Sequence, residues 1–525
     1  MRKKVPKVNI FLQARSNSKR LPYKSLIKIN QIPLVVLCAK RLSGKGVDVT
    51  VLTSEKKKDD YLVDILKQNK INFFRGSLEN VYERFLDCAK KLDNNDIIVR
   101  ATADNPFVNY SFVINTLKIF LKNKEIYRGI DHKRHNLPYG MSIEIFRKSL
   151  ILKYKKKLDK KTIEHVTPNF YKYSNKNIVK KNKLLKDFSR LSCTVDTFED
   201  YKKINYVFKR YKDPTKVCWK KLVYKLKSLK NNKDVNLKKT KFIIGGAQIG
   251  NKYSNFKELD IGEIFKKKIT KENFTMIDTA QNYLNSHKKI SQIKSKKKIN
   301  IITKLNYLIS SRPKYYTENF YLNFYEILIT LNTNQIETLL IHRFSDFKKN
   351  YSEILKIFMK LKSLKLIENY GVSIYQPKEL LFLMKNFSKL VIQFPINFVD
   401  YRWFAIDIFK LKKKSKSILI GRSVFLRGKL LKKEGYIKEK KINNILKKQI
   451  KIIKEKYNIK SNLELCIRYV NSLNFLNYIV FGIEDFGQIK KIIKYKNKQF
   501  SNKVTRKINQ MFEFLDTRYI DILKL

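Results

Sequence analysis

Asp278, Tyr283, Lys304 and His342 are residue types that can pass a proton among themselves, and each stands at or just beyond the end of a short apolar run. A free tyrosine has a pKa of about 10, too high for efficient acid–base work at neutral pH. A neighbouring ammonium stabilises tyrosinate and lowers that value, while a carboxylate keeps the ammonium charged and oriented. A histidine beside the phenol can position a substrate carbonyl. The set suits carbonyl reduction, with Tyr283 giving the proton and a cofactor the hydride. Singly, each has a structural alternative: Asp278 can cap the next segment, Tyr283 can pack, and His342 can be a hydrogen-bonded core histidine. Lys304 resists such a reading, because lysine is rarely buried without a partner.

A second constellation lies near the start. QARSNSKRLPYKSL (13–26) leaves an apolar run and presents Arg15, Ser18, Arg20 and Lys24. A cation-rich loop at the carboxyl end of a strand invites a triphosphate. Asp104 in ATADNP and Asp196 in TVDT close two further runs. Two carboxylates facing such a loop suit Mg²⁺-assisted nucleotidyl transfer, in which the metal bridges phosphate and acceptor oxygens and pyrophosphate departs. The competing reading is a solvated basic loop in a lysine-rich chain.

The elements that must position these groups are short β-branched runs alternating with longer amphipathic segments, the pattern of an α/β protein with parallel sheets. Strand candidates in the first half are 8–14, 47–54, 71–76, 96–104, 141–146 and 191–196, which predict a doubly wound, Rossmann-like sheet with its ligands at the strands' carboxyl ends. Residues 226–240, polar and rich in Lys and Asn, read as a linker between domains spanning 1–225 and 241–525. Beyond it come eight candidates, at 242–248, 274–278, 300–304, 337–342, 369–375, 390–395, 417–423 and 477–484. Their number and spacing predict a (β/α)₈ TIM barrel, whose strand ends bring residues distant in sequence into one pocket.

At 525 residues the chain is long enough for several domains, and a hydrophobic fraction of 43% predicts folding rather than disorder. Its formal charge of +69 raises the question of a polyanion partner. The excess is mostly lysine spread over the whole length alongside abundant Asn, Ile, Tyr and Phe, which fits compositional drift better than a nucleic-acid site. Neither an aromatic-plus-basic RNA motif nor a convincing helix-turn-helix is present, so no specific nucleic acid is expected. Five scattered cysteines without a CxxC pair predict a reduced protein lacking a disulfide framework or zinc site. No apolar stretch approaches the length of a membrane span and no secretory segment is evident, so the expected location is cytoplasmic.

The second half resembles the aldo/keto reductase family through GGAQIG, IDTAQNY, ITK, LLIHR, GVSIY, IQFPINFVDYR, GRSVFLRGKLL and FGIEDFGQI, in family order from roughly 241 to 500. The resemblance implies Asp278, Tyr283, Lys304 and His342 as a catalytic tetrad and NADPH (or NADH) as cofactor. It further implies Ser373 and Gln393 at the nicotinamide carboxamide, with Arg422, Ser423 and the loop from Gly482 to Gln488 along the pyrophosphate and adenosine. Where the family usually has Gly after its tyrosine and Glu shortly beyond, this chain has Leu284 and His287, positions that support the cofactor loop.

The first half resembles cytidylyltransferases that activate acidic sugars, nearest the spore-coat-polysaccharide branch and akin to CMP-sialate and CMP-3-deoxy-octulosonate synthetases. The resemblance covers about 7–215 through QARSNSKRLPYKSL, RGSLENVYERF, RATADNPFV, LPYGMSIEIF, EHVTPNFY and SCTVDTFEDY. It implies Arg15, Arg20 and Lys24 on phosphates, Asp104 and Asp196 on Mg²⁺, Arg75 and Gly76 near the base, and Glu144 and His165 toward the sugar. It also implies a homodimer, for which the residues carry no interface signal. The family's phosphate loop usually has Gly where Asn17 and Tyr23 stand, and asparagine tolerates positive φ better than most residues.

Together these readings predict a bifunctional enzyme of surface-glycan synthesis. One half would couple CTP to an acidic sugar such as a nonulosonate, and the other would reduce or oxidise a small carbonyl or sugar. The alternative keeps the reductase active and makes the first half a sugar- or nucleotide-binding or assembly module.

Overall fold

The computed structural model describes residues 6–130, 132–155, 158–173, 187–229, 239–249, 261–293, 299–306, 315–404, 406, 408–432 and 439–521. The chain divides into two compact units, Met1–Asn232 with Lys314–Tyr325, and Lys233–Pro313 with Glu326–Leu525. Helix Trp219–Lys227 runs into the segment expected as a linker from 226, and residues 230–238 of that segment lie outside the described residues.

The first unit is built on a six-stranded sheet. Its strands are β1 (Val8–Gln13), β2 (Asp48–Ser54), β3 (Asn72–Gly76), β4 (Ile97–Thr102), β5 (Tyr127–Gly129) and β6 (Glu144–Arg147). The order is β3-β2-β1-β4-β6-β5. β1 to β4 are parallel, as their apolar runs predict, but β6 runs antiparallel to both β4 and β5. The sheet is therefore mixed at one edge rather than parallel throughout. The run at 191–196 is not a strand. It makes one isolated bridge, Ser192 with Tyr139, and β5 takes the edge position instead. The bridge has a local cause: Gly140 has φ +98°, and a Cβ there would lie 2.8 Å from Thr194 N, so only glycine lets the two segments close up. That contact carries Asp196 toward Asp104, and Val195 N–H donates to Asp104 O at 2.9 Å.

The second unit is a closed eight-stranded barrel of β7 (Phe242–Gly245), β8 (Phe274–Asp278), β9 (Asn300–Leu305), β10 (Ile336–Ile341), β11 (Ile367–Ser373), β12 (Val391–Pro395), β13 (Ile418–Arg422) and β14 (Tyr478–Gly482). Every pairing between neighbours is parallel, and β14 closes on β7. All eight expected strands are present, each shifted by no more than a few residues. Ile243, Met276, Ile302, Leu340, Val391, Ile420 and Val480 form one buried cluster, with a member from every strand except β11. β11 instead has Gly371, in register with Leu340 and Val391.

A Cβ on Gly371 would fall 1.7 Å from Val391 O, so the strand pair leaves no room for any side chain. Overpacking of this kind costs about 1–3 kcal/mol, occasionally more. Gly371→Ala is accordingly expected to destabilise the barrel by at least about 3 kcal/mol, seen as a lower urea midpoint for its cooperative unfolding.

Candidate active sites

In the barrel, β8 ends in Asp278 and β9 carries Lys304 one residue from its end. Lys304 is 1% exposed, and its Nζ donates to both oxygens of Asp278 at 2.8 Å and to Thr279 O at 3.0 Å. Burial presses the Lys304 pKa below its ordinary value, with Asp278 pulling the other way. Gln393, on β12, donates from Nε2 to Asp278 Oδ1 at 2.8 Å, which fixes the orientation of its amide. Lys304 Nζ lies 5.5 Å from the centre of the Tyr283 ring, and the ring of His342 meets that of Tyr283 edge-on at 6.4 Å between centroids. The four side chains predicted from strand ends are thus brought together.

The loop bearing Tyr283 is braced from behind. Ser286 N–H donates to Tyr283 O at 2.8 Å, and Ser286 Oγ donates to Gly246 O at 3.0 Å. A Cβ on Gly246 would come within 2.8 Å of Asp278 O, so the GGAQ segment sits this close to β8 only as glycine. His342 is driven down to about 3 by burial first, then by the charges of Lys304, Arg422 and Arg343. It is therefore a neutral imidazole at neutral pH.

Ser373 Oγ and Gln393 Oε1 are both buried and have no hydrogen-bond partner among the described residues. They sit at register-paired positions of β11 and β12. An unmatched hydroxyl and an amide oxygen side by side fit a carboxamide, which offers one acceptor and one amino donor. The nicotinamide end of the implied cofactor therefore fits these residues. Arg422 stacks over the Tyr375 ring at 4.4 Å and donates to Ile374 O at 3.2 Å and Ser423 Oγ at 3.3 Å. Past it, Ser423, Leu426, Arg427 and Gly428 all take positive φ, making a tight turn beyond β13. Gly482 is exposed at the end of β14. Gln488 is used locally: its Oε1 accepts Glu484 N–H at 2.8 Å, so it supports the loop rather than presenting its carbonyl to a ligand.

The two departures near Tyr283 have separate outcomes. Leu284 has φ 33°, keeping the left-handed backbone that glycine would adopt, with its side chain 81% exposed. His287 packs inward from helix Ser286–Ser291. It is buried, and its Nε2 shares a hydrogen bond of 3.0 Å with Thr303 Oγ1, beside Lys304 in sequence. Burial, then Lys304, lowers its pKa to about 4.

In the first unit, a cavity of about 540 Å³ opens at the carboxyl ends of β1 and β4. Arg15, Ser18, Arg20, Lys24, Asp104, His165 and Asp196 all line it. Lys24 Nζ bridges Asp104 Oδ2 at 2.7 Å and Asp196 Oδ1 at 3.0 Å, and Arg20 reaches Asp196 at 2.9 Å. Burial alone would lower the Lys24 pKa, but the two carboxylates outweigh it and raise it. Among the described residues no cluster of three or more His, Cys, Asp or Glu could hold a metal alone. Mg²⁺ is usually held by one or two carboxylates completed by substrate phosphates and water, so Asp104 and Asp196 fit that role.

Tyr23 lies at φ 57°, ψ 26°, again in the left-handed region, whereas Asn17 makes no use of positive φ. The loop owes its shape to a residue that sequence reasoning passed over. Asp59, buried just before a helix, accepts Ser16 N–H at 2.7 Å and Ser54 N–H at 3.3 Å. Its only signal was a place in the charged stretch KKKDDY, which reads as surface. Arg75 and Gly76 do not line the cavity. The Arg75 guanidinium donates to Ser54 O and Lys56 O at 3.0 Å and pairs with Asp60 at 2.9 Å. Glu144 is also absent from the lining, and Arg100, which pairs with it, takes that place.

The two halves match two family models: cytidylyltransferase over residues 10–243 and the aldo/keto reductase family over residues 241–513. The chain belongs to the aldo/keto reductase family and carries an N-terminal cytidylyltransferase domain, an oxidoreductase fused to a nucleotidyltransferase. It is similar to an uncharacterized protein of Methanocaldococcus jannaschii, 35% identical over 201 residues, covering 37% of this chain and 79% of that one. It is also similar to the spore coat polysaccharide biosynthesis protein SpsF of Bacillus subtilis, 25% identical over 214 residues, covering 38% and 85%. A third relative is the 3-deoxy-manno-octulosonate cytidylyltransferase of Wigglesworthia glossinidia brevipalpis, 28% identical over 123 residues, covering 22% and 48%. Among the described residues, no helix is long and apolar enough to cross a membrane.

Replacing Leu284 by Gly removes no packing and relieves a backbone that costs an L-residue about 1–2 kcal/mol. After the entropy glycine loses, Leu284→Gly is expected to stabilise the barrel by about 0.5–1 kcal/mol in urea unfolding. The two histidines set a pH dependence. Their folded pKa values, about 3 and about 4, lie below the ordinary 6.5. As pH falls through 6.5 the unfolded chain takes protons that these two folded imidazoles refuse, so their contribution to stability drops with acidification and is level well above 6.5. His287→Gln is expected to flatten the fall of barrel stability between about pH 6.5 and 4.5, measured against wild type by urea unfolding.

Proposed function

We propose that the chain is a bifunctional enzyme of glycan synthesis, in which one unit transfers a cytidylyl group from CTP to a sugar acid and the other interconverts a carbonyl and an alcohol with NAD(P)H. What carries the reading is that each unit gathers a chemically complete set from segments far apart in sequence, strand ends in the barrel and a loop, a strand end and a helix approach in the first unit. Kinship with a spore-coat polysaccharide protein and an octulosonate cytidylyltransferase supports the glycan context and the sugar acid.

In the barrel, Asp278 holds the Lys304 ammonium under Tyr283, which favours the tyrosinate and tunes the phenol for proton transfer. The Tyr283 hydroxyl gives its proton to the carbonyl oxygen in reduction and takes it back in oxidation. Neutral His342 donates N–H to that oxygen and sets its position. Ser373 and Gln393 would hold the carboxamide, while Arg422 and Ser423 would serve the pyrophosphate. The cofactor, when bound, supplies the hydride.

In the first unit, Arg15, Arg20 and Lys24 take the charge of the triphosphate. Asp104 and Asp196 would hold Mg²⁺, which offsets negative charge building on the phosphates. The sugar hydroxyl attacks the α-phosphorus and gives up its proton to solvent, the bond from that phosphorus to the oxygen bridging to the β-phosphate breaks, and pyrophosphate leaves. His165 lies on the cavity wall toward the sugar.

The chain, CTP, Mg²⁺ and a panel of sugar acids should release pyrophosphate with at least one of them, and NADPH should be oxidised with simple aldehydes. Tyr283→Phe is expected to slow NADPH turnover about 10²–10⁴-fold with pyrophosphate release unchanged. Absence of pyrophosphate with every acid leaves the reductase alone, and a Tyr283→Phe variant that still turns over NADPH at the wild-type rate removes the proton-donor assignment.

A further inference from the structure

We propose that Glu144 is a positioning residue of the transferase site: it touches no substrate, but it sets the reach of Arg100 and the direction of His165 across the cavity. The inference rests on the transferase reading above and names what shapes its sugar side.

Glu144 stands where two strand pairs meet, opposite Arg100 on β4 and opposite Gly129 on β5. A Cβ on Gly129 would come within 2.6 Å of Tyr127 Oη, so the missing side chain is what lets Tyr127 curl back over its own strand. From there its hydroxyl donates to Glu144 Oε1 at 2.8 Å. The same oxygen accepts Thr167 Oγ1 at 2.6 Å, and the other pairs with the Arg100 guanidinium. Three protein donors thus converge on one carboxylate that is 13% exposed. Such a group organises its donors and has little capacity left for a substrate hydroxyl. Arg100, also anchored to Gln13 Oε1 at 3.3 Å, is the member that lines the cavity.

The Thr167 arm leads to His165, a second residue of the cavity lining. Thr167 N–H donates to His165 O at 2.8 Å across Val166, which has φ 69° and ψ −50°. This is the rare positive-φ γ-turn, and valine is among the residues least suited to it. Backbone of this kind persists only where the surroundings over-determine it, and it gathers at functional sites. Here Val166 is fully buried, its N–H bonds Thr162 O at 2.8 Å, and the Thr167 hydroxyl is pinned by Glu144. The turn stops helix Lys160–His165 abruptly and leaves His165 exposed on the cavity wall. One carboxylate therefore ties a cation on a strand to an imidazole at a helix end, both of them on the cavity lining.

Thr167→Val removes the hydroxyl and keeps the shape, and Thr167→Ser restores it. With a sugar acid that wild type accepts, Thr167→Val is expected to raise the KM for that acid about tenfold, leave the KM for CTP within about twofold, and be rescued by Thr167→Ser. A parallel rise in both KM values, or no change in either, overturns the proposal. If Thr167→Val fails to fold, Glu144→Gln is read by the same KM split. The imidazole signal of His165, identified by its loss in His165→Gln, gives a readout that needs no turnover. It should shift in Thr167→Val and return in Thr167→Ser, and an unmoved signal defeats the proposal. A wild type inert toward every sugar acid would therefore sink the transferase reading while the His165 signal still decides this one.

Discussion

The barrel's chemistry depends on one constraint, that a lysine ammonium is buried in a strand end and must be answered there. Removing a charge from water costs several kcal/mol, and breaking a buried pair by deleting one partner typically costs about 3–5 kcal/mol. Asp278 meets that demand with both oxygens, and Thr279 O takes a third donor position. The match is possible because β8 and β9 are parallel neighbours with Asp278 in register with Ile302, two residues before Lys304. Side chains two apart share a face of a strand, so the pair converges inside the barrel without distortion. Once Lys304 is fixed, its field reaches outward. It helps to hold His287 and His342 neutral, and it lies under the Tyr283 ring.

The transferase unit meets a similar problem differently. Its carboxylates and cations are partly exposed, so water shares the load and no single pair dominates. The loop that carries the cations is anchored at Ser16, whose N–H donates to Asp59, and Asp59 is itself tied to the end of β2 through Ser54 N–H. A buried carboxylate taking the N–H of buried Ser16 fixes the start of the loop while Arg15, Arg20 and Lys24 line the cavity. Deep burial thus positions the reductase groups directly, whereas the transferase groups are positioned at one remove.

That difference explains how much was legible in the sequence. Residues at barrel strand ends could be read because the fold itself forces them together, and a lysine closing an apolar run is hard to explain otherwise. Asp104 and the cation-rich loop after β1 could be read in the same way, whereas Asp196 reaches the cavity from a segment that is not a strand. Asp59, Arg100 and Thr167 were not legible, since each acts through a partner more than 20 residues away and each looks ordinary in its own stretch. The run LSCTVD shows the converse error. Its alternation suits a strand, but Gly140 draws it into a single bridge beside a turn, and tertiary approach overrides local propensity. The antiparallel β6 escaped for a related reason, because hydrophobic runs report burial and say nothing of direction.

Tyr23 and Leu284 show what the two sites conserve physically. Each stands where the resembling family usually has glycine, and each keeps a left-handed backbone at φ 57° and φ 33°. Had the loops been free to relax, an L-residue would have moved out of that region, because its Cβ crowds the following carbonyl. They did not move, since neighbours on both sides are fixed: Tyr23 N–H donates to Ser16 O at 3.1 Å in the loop that Asp59 holds, and Ser286 bonds both Tyr283 O and Gly246 O. The backbone path at each site is therefore imposed by these braces and not by the residue occupying the turn. Substitution at the turn alters stability and surface, while the course of the backbone stays with Asp59 and Ser16 in one unit and with Gly246 and Ser286 in the other.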